Sequence, residues 1–308
     1  MSRILQTERW ARFVAQEIIF ESVTKRFGDT TVFSGNNFEL KDGLTFLVGR
    51  NGAGKSTFAR LATGIERPTS GTVTLFGDPT HSISLRTKHR LGVQLQNDAF
   101  LKGVRVGEYI SLYEKIFAAG ETATLTTQES VSTAEIIDML DIEPLLRSYA
   151  YALSGGQKKR ISLLLAIIGK KQLLILDEPT AGIDVDVKDK IMRVIRHVKS
   201  CGVNLVVSSH DLTEFFDIAD NVLVVERGIR FHGTKATCEE KYGFNYKVTL
   251  TSPRDSVALP SVRHEDGTSY YAYSADELAT IFPDCLVEPT ATKDLYQLAT
   301  RANGLDDE

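Results

Sequence analysis

This 308-residue sequence has little of several things. It holds three cysteines, Cys201, Cys238 and Cys285, scattered without CxxC spacing. That excludes a disulfide scaffold and a thiolate metal site, and it fits a reducing compartment. It has no long hydrophobic run: the longest strongly apolar stretch, Ile161 to Ile168, is far shorter than a bilayer crossing requires. The start, Met1-Ser2-Arg3-Ile4-Leu5-Gln6, has no hydrophobic core of a leader, so no signal peptide is expected. The excess of one sign of charge is also small: 40 acidic against 36 basic residues. The formal net charge is −4, which does not suggest a broad nucleic-acid surface, and no nucleic-acid partner is expected. No internal repeat, sustained heptad or basic arm is visible. What remains is an ordinary globular composition, long enough for one large domain or one plus a small annex.

The most informative stretch is Gly49-Arg50-Asn51-Gly52-Ala53-Gly54-Lys55-Ser56-Thr57. A Gly, four residues, then Gly-Lys-Ser is the pattern of a phosphate-binding loop. Leu44 to Val48 reads as a buried strand leading into it. The glycines Gly49, Gly52 and Gly54 let successive N–H groups point at one anion. Lys55 is expected to reach the β- and γ-phosphates, and the Ser56 hydroxyl to ligate Mg²⁺. A helix starting near Lys55 adds its positive dipole end. The loop alone does not choose among kinases, GTPases, helicases and transporter ATPases.

A second acidic stretch fits the same edge. Leu173-Leu174-Ile175-Leu176-Asp177-Glu178 reads as a buried strand ending in two acids. Asp177 is expected to hold Mg²⁺, directly or through water, and Glu178 to orient or deprotonate the attacking water. His210 ends the strand-like run Gly202 to Ser209, where it could contact a γ-phosphate. Gln96 follows another such run, Leu91 to Leu95. It can ligate Mg²⁺ or orient water, though on spacing alone a surface amide is the stronger reading. Phe27 stands upstream of the loop, as an adenine platform or as a core residue at a strand end. Leu153-Ser154-Gly155-Gly156-Gln157 opens the apolar helix from Ile161, with Ser154 as its N-cap. The same residues and the helix dipole could also form a second anion site.

Along the rest of the chain, residues 1 to about 16 read as an amphipathic helix carrying Trp10, Phe13 and Val14. Ile18 to Val23 and Asn37 to Leu40 read as strands, with a turn at Lys25 to Gly28. Val106, Ile110, Leu112 and Ile116 fit one helix face; Ile136, Ile137, Met139 and Leu140 fit another. Gly120 to Thr133 reads as an exposed loop. Asn221 to Gly233 reads as a hairpin. Beyond about residue 236, strands at Lys247–Leu250, Tyr270–Tyr273 and Cys285–Val287 and helices at Asp276–Phe282 and Ala291–Arg301 suggest a small α/β annex. It carries no chemical constellation and is expected to tune assembly or regulation.

The phosphate loop at 49–57, the Gln96 loop, Leu-Ser-Gly-Gly-Gln at 153–157, the acids at 173–178, the loop around Asp184 and His210 occur in one order. In that order they resemble the ATP-binding cassette family, over about residues 17–235. The resemblance implies a P-loop NTPase cassette of α/β class, with a mixed core sheet, an antiparallel β subdomain and a helical subdomain at about 97–170. Residues 1–16 would be an extension and 236–308 an accessory domain. It implies that ATP and Mg²⁺ bind, with Phe27 stacking on adenine and Gly49, Asn51, Gly52, Gly54, Lys55, Ser56 and Thr57 holding phosphates. Ser56, Gln96 and Asp177 would serve the metal, Glu178 the chemistry, and His210 the γ-phosphate. Two cassettes would pack head to tail as a homodimer or heterodimer, with Ser154, Gly155, Gly156 and Gln157 closing the opposite site. Where the family more often has Ser-Gly-Leu-Asp, this chain has Ala181-Gly182-Ile183-Asp184. A transmembrane permease subunit would hold the chain at the cytoplasmic face of the membrane. The ending Glu288 to Tyr296 resembles the tails of multidrug-exporter ATPase subunits, which leans towards export. An importer ATPase, or a soluble cassette protein acting on ribosomes or DNA, is the alternative.

Overall fold

The computed structural model describes residues 17–96, 99–118, 131–211, 213–252, 257–265 and 267–301. The expected helix over 1–16 and most of the expected loop over 120–133 lie outside them. In chain order the strands are β1 (Ile18–Phe27), β2 (Thr30–Glu39), β3 (Leu44–Val48), β4 (Ser70–Leu75), β5 (Asp78–Pro79), β6 (Leu91–Gln94), β7 (Leu173–Asp177), β8 (Asn204–Ser209), β9 (Asn221–Val225), β10 (Ile229–Thr234), β11 (Tyr246–Leu250), β12 (Ser261–His264), β13 (Gly267–Ala272) and β14 (Glu288–Pro289). The α-helices are α1 (Lys55–Ala62), α2 (Leu85–Arg90), α3 (Val106–Ala118), α4 (Thr133–Met139), α5 (Gly155–Ile167), α6 (Val185–Ser200), α7 (Lys235–Tyr242), α8 (Ala275–Ile281) and α9 (Thr292–Arg301). They form an α/β protein of two compact units: residues 1–43 with 56–206, and 44–55 with 207–308.

The first unit holds an antiparallel sheet in the order β2-β1-β4-β5. Three phenylalanines pin α1 to it. Phe20 of β1 stacks on Phe58 of α1 with centroids 4.8 Å apart, and Phe38 of β2 meets both edge-on. Such pairs add roughly 0.5–1.5 kcal/mol each beyond burial. The strands β8-β7-β6 are hydrogen-bonded neighbours in that order, with β6 and β7 parallel. Every residue of β7 is buried, and so is most of α5 beyond its first turn. Gly92 lets β6 approach α5 closely: a Cβ there would lie 2.0 Å from the Ala166 carbonyl oxygen. On α3, Val106 and Ile110 are buried as the periodicity predicts, but Leu112 and Ile116 are exposed. The expected turn at 25–28 falls instead at Gly28-Asp29, because β1 runs on through Phe27 and pairs with Thr30. The Lys25 side chain holds it there, its Nζ donating to Glu66 at 2.7 Å and to the Arg67 carbonyl at 2.8 Å.

In the second unit the order is β10-β9-β3-β8, with β3 and β9 parallel and β9 and β10 antiparallel. β8 crosses the division, its first three residues in one unit and its last three in the other. β3 and β9 are buried throughout. A further antiparallel sheet, β12-β13-β11-β14, has its own core of Val248, Tyr270, Ala272, Leu278 and Phe282. Ser274 caps α8 and Thr234 caps α7. The last short strand falls at Glu288–Pro289, where it pairs with Tyr246 and Lys247, rather than at 285–287.

Candidate functional site

The phosphate loop leaves the end of β3 as the sequence predicts. Its backbone needs its glycines: Gly52 has φ +80° and Gly54 φ +116°, in the region that L side chains avoid. Gly49 needs the absence of a side chain for space, because a Cβ there would meet the Val225 carbonyl oxygen at 2.5 Å. The loop closes on itself through Ala53 N–H, which donates to the Arg50 carbonyl at 3.1 Å. Lys55 is buried, and its ammonium donates to the carbonyls of Gly49 at 2.8 Å and Arg50 at 3.3 Å. The loop is braced from the β9–β10 turn, where Arg227 N–H donates to the Ala53 carbonyl at 3.2 Å. Asn51 is exposed, and Ser56 and Thr57 lie in the first turn of α1. In the same unit, His210 follows β8 and is exposed.

In the first unit, β7 delivers Asp177 and Glu178 to its carboxyl end, both buried. Glu178 has φ +50°, a left-handed backbone for a non-glycine residue. Lys159 of α5 lies beside it. Its Nζ donates to the Glu178 carbonyl at 2.9 Å and to the Gln96 carbonyl at 3.3 Å. The Gln94 amide in turn donates to the Lys159 carbonyl at 3.2 Å. One buried ammonium therefore ties the loop after β6 to the backbone of Glu178, the residue after β7. The Gln96 side chain itself is on an exposed residue.

Ser154 caps α5 through a reciprocal box. Gln157 N–H donates to the Ser154 hydroxyl at 3.3 Å, and Ser154 N–H donates to the Gln157 side-chain oxygen at 3.0 Å. Gly155 and Gly156 take no left-handed conformation. A Cβ built at Gly155 meets nothing within 4 Å, and one at Gly156 makes ordinary contacts of 3.7–3.8 Å. Neither glycine is required by the chain's own packing. Phe27, at the end of β1, is 46% exposed, with the Lys25 ammonium 4.6 Å from its ring centroid.

Comparisons with known proteins give the family. The family model described as ABC transporter matches residues 33–181. A Nod factor export ATP-binding protein I from Rhizobium sp. (strain N33) is 30% identical over 262 residues, covering 82% of this chain and 84% of the relative. The chain belongs to the ABC transporter family. It is an ABC ATPase: it binds ATP and hydrolyses it. Among solved structures, the ATP-binding subunit of an ABC transporter superposes with TM-score 0.64 at 19% identity, covering 74% of this chain and 93% of that one. The dimeric structure of a bacterial ABC transporter cassette superposes with TM-score 0.59 at 19% identity, covering 71% and 98%. At that identity the likeness is one of fold.

The loop of this ABC ATPase fits a phosphate chain, since it combines obligatory glycines with a buried ammonium. The candidates for Mg²⁺, Ser56, Asp177 and Gln96, offer hard oxygen donors of the kind that ion takes beside water and phosphate. Among the described residues no cluster of three His, Cys, Asp or Glu could hold a metal by itself, and no helix is long and apolar enough to cross a membrane. Sequence reasoning missed Lys159, Gln94 and Tyr296, which donates to Glu226 and accepts from the phosphate loop. Lys159 had a signal: Lys158-Lys159-Arg160 opens a helix too apolar to face water, so the buried cations need acceptors. Arg160 confirms the logic, donating to the carbonyls of Leu140 at 2.6 Å and Asp141 at 2.9 Å.

Proposed function

We propose that this ABC ATPase is the nucleotide-hydrolysing subunit of an exporter and drives a separate transmembrane subunit. The match to an export ATP-binding protein along most of both chains supports the direction. The cassette is assigned to residues 17–235, its helical subdomain to about 97–170, and the accessory domain to 236–308. Residues 1–16 are left as an extension.

Within the cassette, Gly49, Asn51, Gly52, Gly54, Ser56 and Thr57 cradle the phosphates. Lys55 leaves its carbonyl partners for the β- and γ-phosphates. Ser56, Asp177 and Gln96 hold Mg²⁺, which neutralises charge on those phosphates when bound. Glu178 orients or deprotonates the attacking water, His210 contacts the γ-phosphate, and Phe27 stacks on the adenine. The reaction is in-line attack of water on the γ-phosphate.

Two copies, or this chain and a second cassette, pack head to tail, so that Ser154, Gly155, Gly156 and Gln157 close the opposite site. The observation that carries this is the pair of glycines at 155 and 156. Their own chain does not need them, so the surface they keep small is reserved for something from outside. Glu178→Gln keeps ATP affinity and stops hydrolysis, so ATP-dependent dimers accumulate on size-exclusion chromatography. A variant that binds ATP yet stays monomeric would sink the head-to-tail reading.

A further inference from the structure

The accessory sheet shows none of the motifs that act on nucleotide, yet a side chain tied to it reaches the phosphate loop. Tyr296 of α9 is buried, and its hydroxyl accepts from the Arg50 N–H at 2.9 Å. The same hydroxyl donates to the Glu226 carboxylate at 2.8 Å. Arg50 is the second residue of the loop after β3. Its carbonyl is already taken by Ala53 N–H and Lys55 Nζ, so with the Tyr296 bond to its N–H both its backbone groups are engaged. Glu226 sits in the β9–β10 turn, one residue before Arg227, which holds the Ala53 carbonyl. The loop entrance is thus gripped at two points, and the Tyr296–Glu226 bond joins them.

α9 is fixed to the accessory sheet by a buried carboxylate. Asp294 accepts from Lys247 of β11 at 3.1 Å and from the Tyr271 hydroxyl of β13 at 3.2 Å. On its other side, Leu295 and Tyr296 border a small apolar cavity with Phe46 and Val48 of β3, the strand that feeds the loop. Burial and the neighbouring carboxylate push the Tyr296 ionisation well above its ordinary value, so the hydroxyl keeps the proton it donates.

We propose that Tyr296 is a positioning residue for nucleotide binding, through which the C-terminal domain sets the affinity of the phosphate loop for ATP. The inference rests on the reading of residues 49–57 as the ATP site. Tyr296 touches no nucleotide. It holds the loop entrance curled, so the phosphates meet a formed cradle and less ordering is needed on binding. The effect therefore belongs to binding and not to the chemical step.

The test uses the full-length protein, ATP titration by calorimetry and steady-state phosphate release. Tyr296→Phe deletes only the hydroxyl. Losing one buried hydrogen bond that orders the loop should raise the ATP Kd and the KM about fivefold. The kcat at saturating ATP should stay within about twofold, a split that general loss of structure would not give. Glu226→Gln keeps an acceptor of lower charge and should raise Kd about twofold, which keeps the question answerable if Tyr296→Phe does not fold. The double variant should bind no more weakly than Tyr296→Phe alone, because the carboxylate acts through the hydroxyl. Wild-type protein and Lys55→Ala run beside them. If wild-type protein does not bind ATP, or Lys55→Ala binds it equally well, the ATP-site reading fails. If those controls behave and Tyr296→Phe binds ATP as tightly as wild type, or loses kcat with Kd unchanged, the positioning role is overturned.

Discussion

Replacing Lys159 with Met should slow hydrolysis without loosening ATP. The ammonium makes two bonds, to the Glu178 carbonyl at 2.9 Å and the Gln96 carbonyl at 3.3 Å, on a residue that is 7% exposed. Water cannot replace it cheaply there. Hydrogen bonds to a charged group contribute roughly 1.5–3 kcal/mol, and the longer one falls at or below the low end. Met keeps most of the apolar stem, so the packing term is small. The expected net loss of stability is about 3 kcal/mol, or about 6–12 °C in Tm for a domain of this size. The shorter bond also fixes the backbone of Glu178 at φ +50°, a conformation that its own side chain does not favour. If about 1.5–2 kcal/mol of that positioning is lost from the transition state, kcat falls roughly ten- to thirtyfold. Phosphate release at saturating ATP, with a thermal melt to confirm folding, measures both. Lys159→Arg keeps a cation and should recover part of the rate. A folded Lys159→Met with kcat within twofold of wild type, or with KM raised and kcat intact, would refute the reasoning.

Complementation tests the shared site: Ser154→Arg and Lys55→Ala chains, each inactive alone, should regain hydrolysis when mixed, because one interface of the mixed dimer keeps both intact halves. No recovery in confirmed mixed dimers would mean that each chain completes its own site. Lys171 gives a pH dependence. Its ammonium is buried against the Phe117 ring, 3.2 Å from the centroid, and burial pushes its pKa down from 10.5 to about 7. A depressed pKa means that stability present above the unfolded value is lost as pH falls towards the folded one. Lys171→Met should therefore be the more stable protein at pH 7, with the gap between the melting curves closing as pH rises towards 10.5. A gap constant from pH 7 to pH 10 would rule that out.

The motifs were legible because each is local. The phosphate loop, the acids at the end of β7 and the Ser154 cap are short stretches whose geometry follows from their own residues and the strand or helix beside them. The family order then tied them together. What lay beyond reach was set by distant partners. Nothing near Tyr296 announces that its hydroxyl meets a backbone N–H 246 residues earlier in the chain. Lys25 reads as a turn residue until Glu66 and Arg67 draw it into β1. Leu112 and Ile116 share the period of Val106 and Ile110 but are left about half exposed, 52% and 46%. Cys285 to Val287 has strand propensity, yet the sheet takes Glu288 and Pro289, because Tyr246 and Lys247 fix where an edge can pair.

The cap on α5 has a consequence of its own. A serine hydroxyl carries one proton and two lone pairs. At Ser154 the cap consumes one lone pair, accepting from Gln157 N–H. Among the described residues the proton meets no acceptor, and the cap does not use it. The same oxygen can close the helix and, in the same pose, donate outwards. Ser154→Ala removes both abilities together, while a threonine retains both. If the end of α5 receives an anion, as proposed, the cap can stay closed while the rotatable hydroxyl turns its proton outwards.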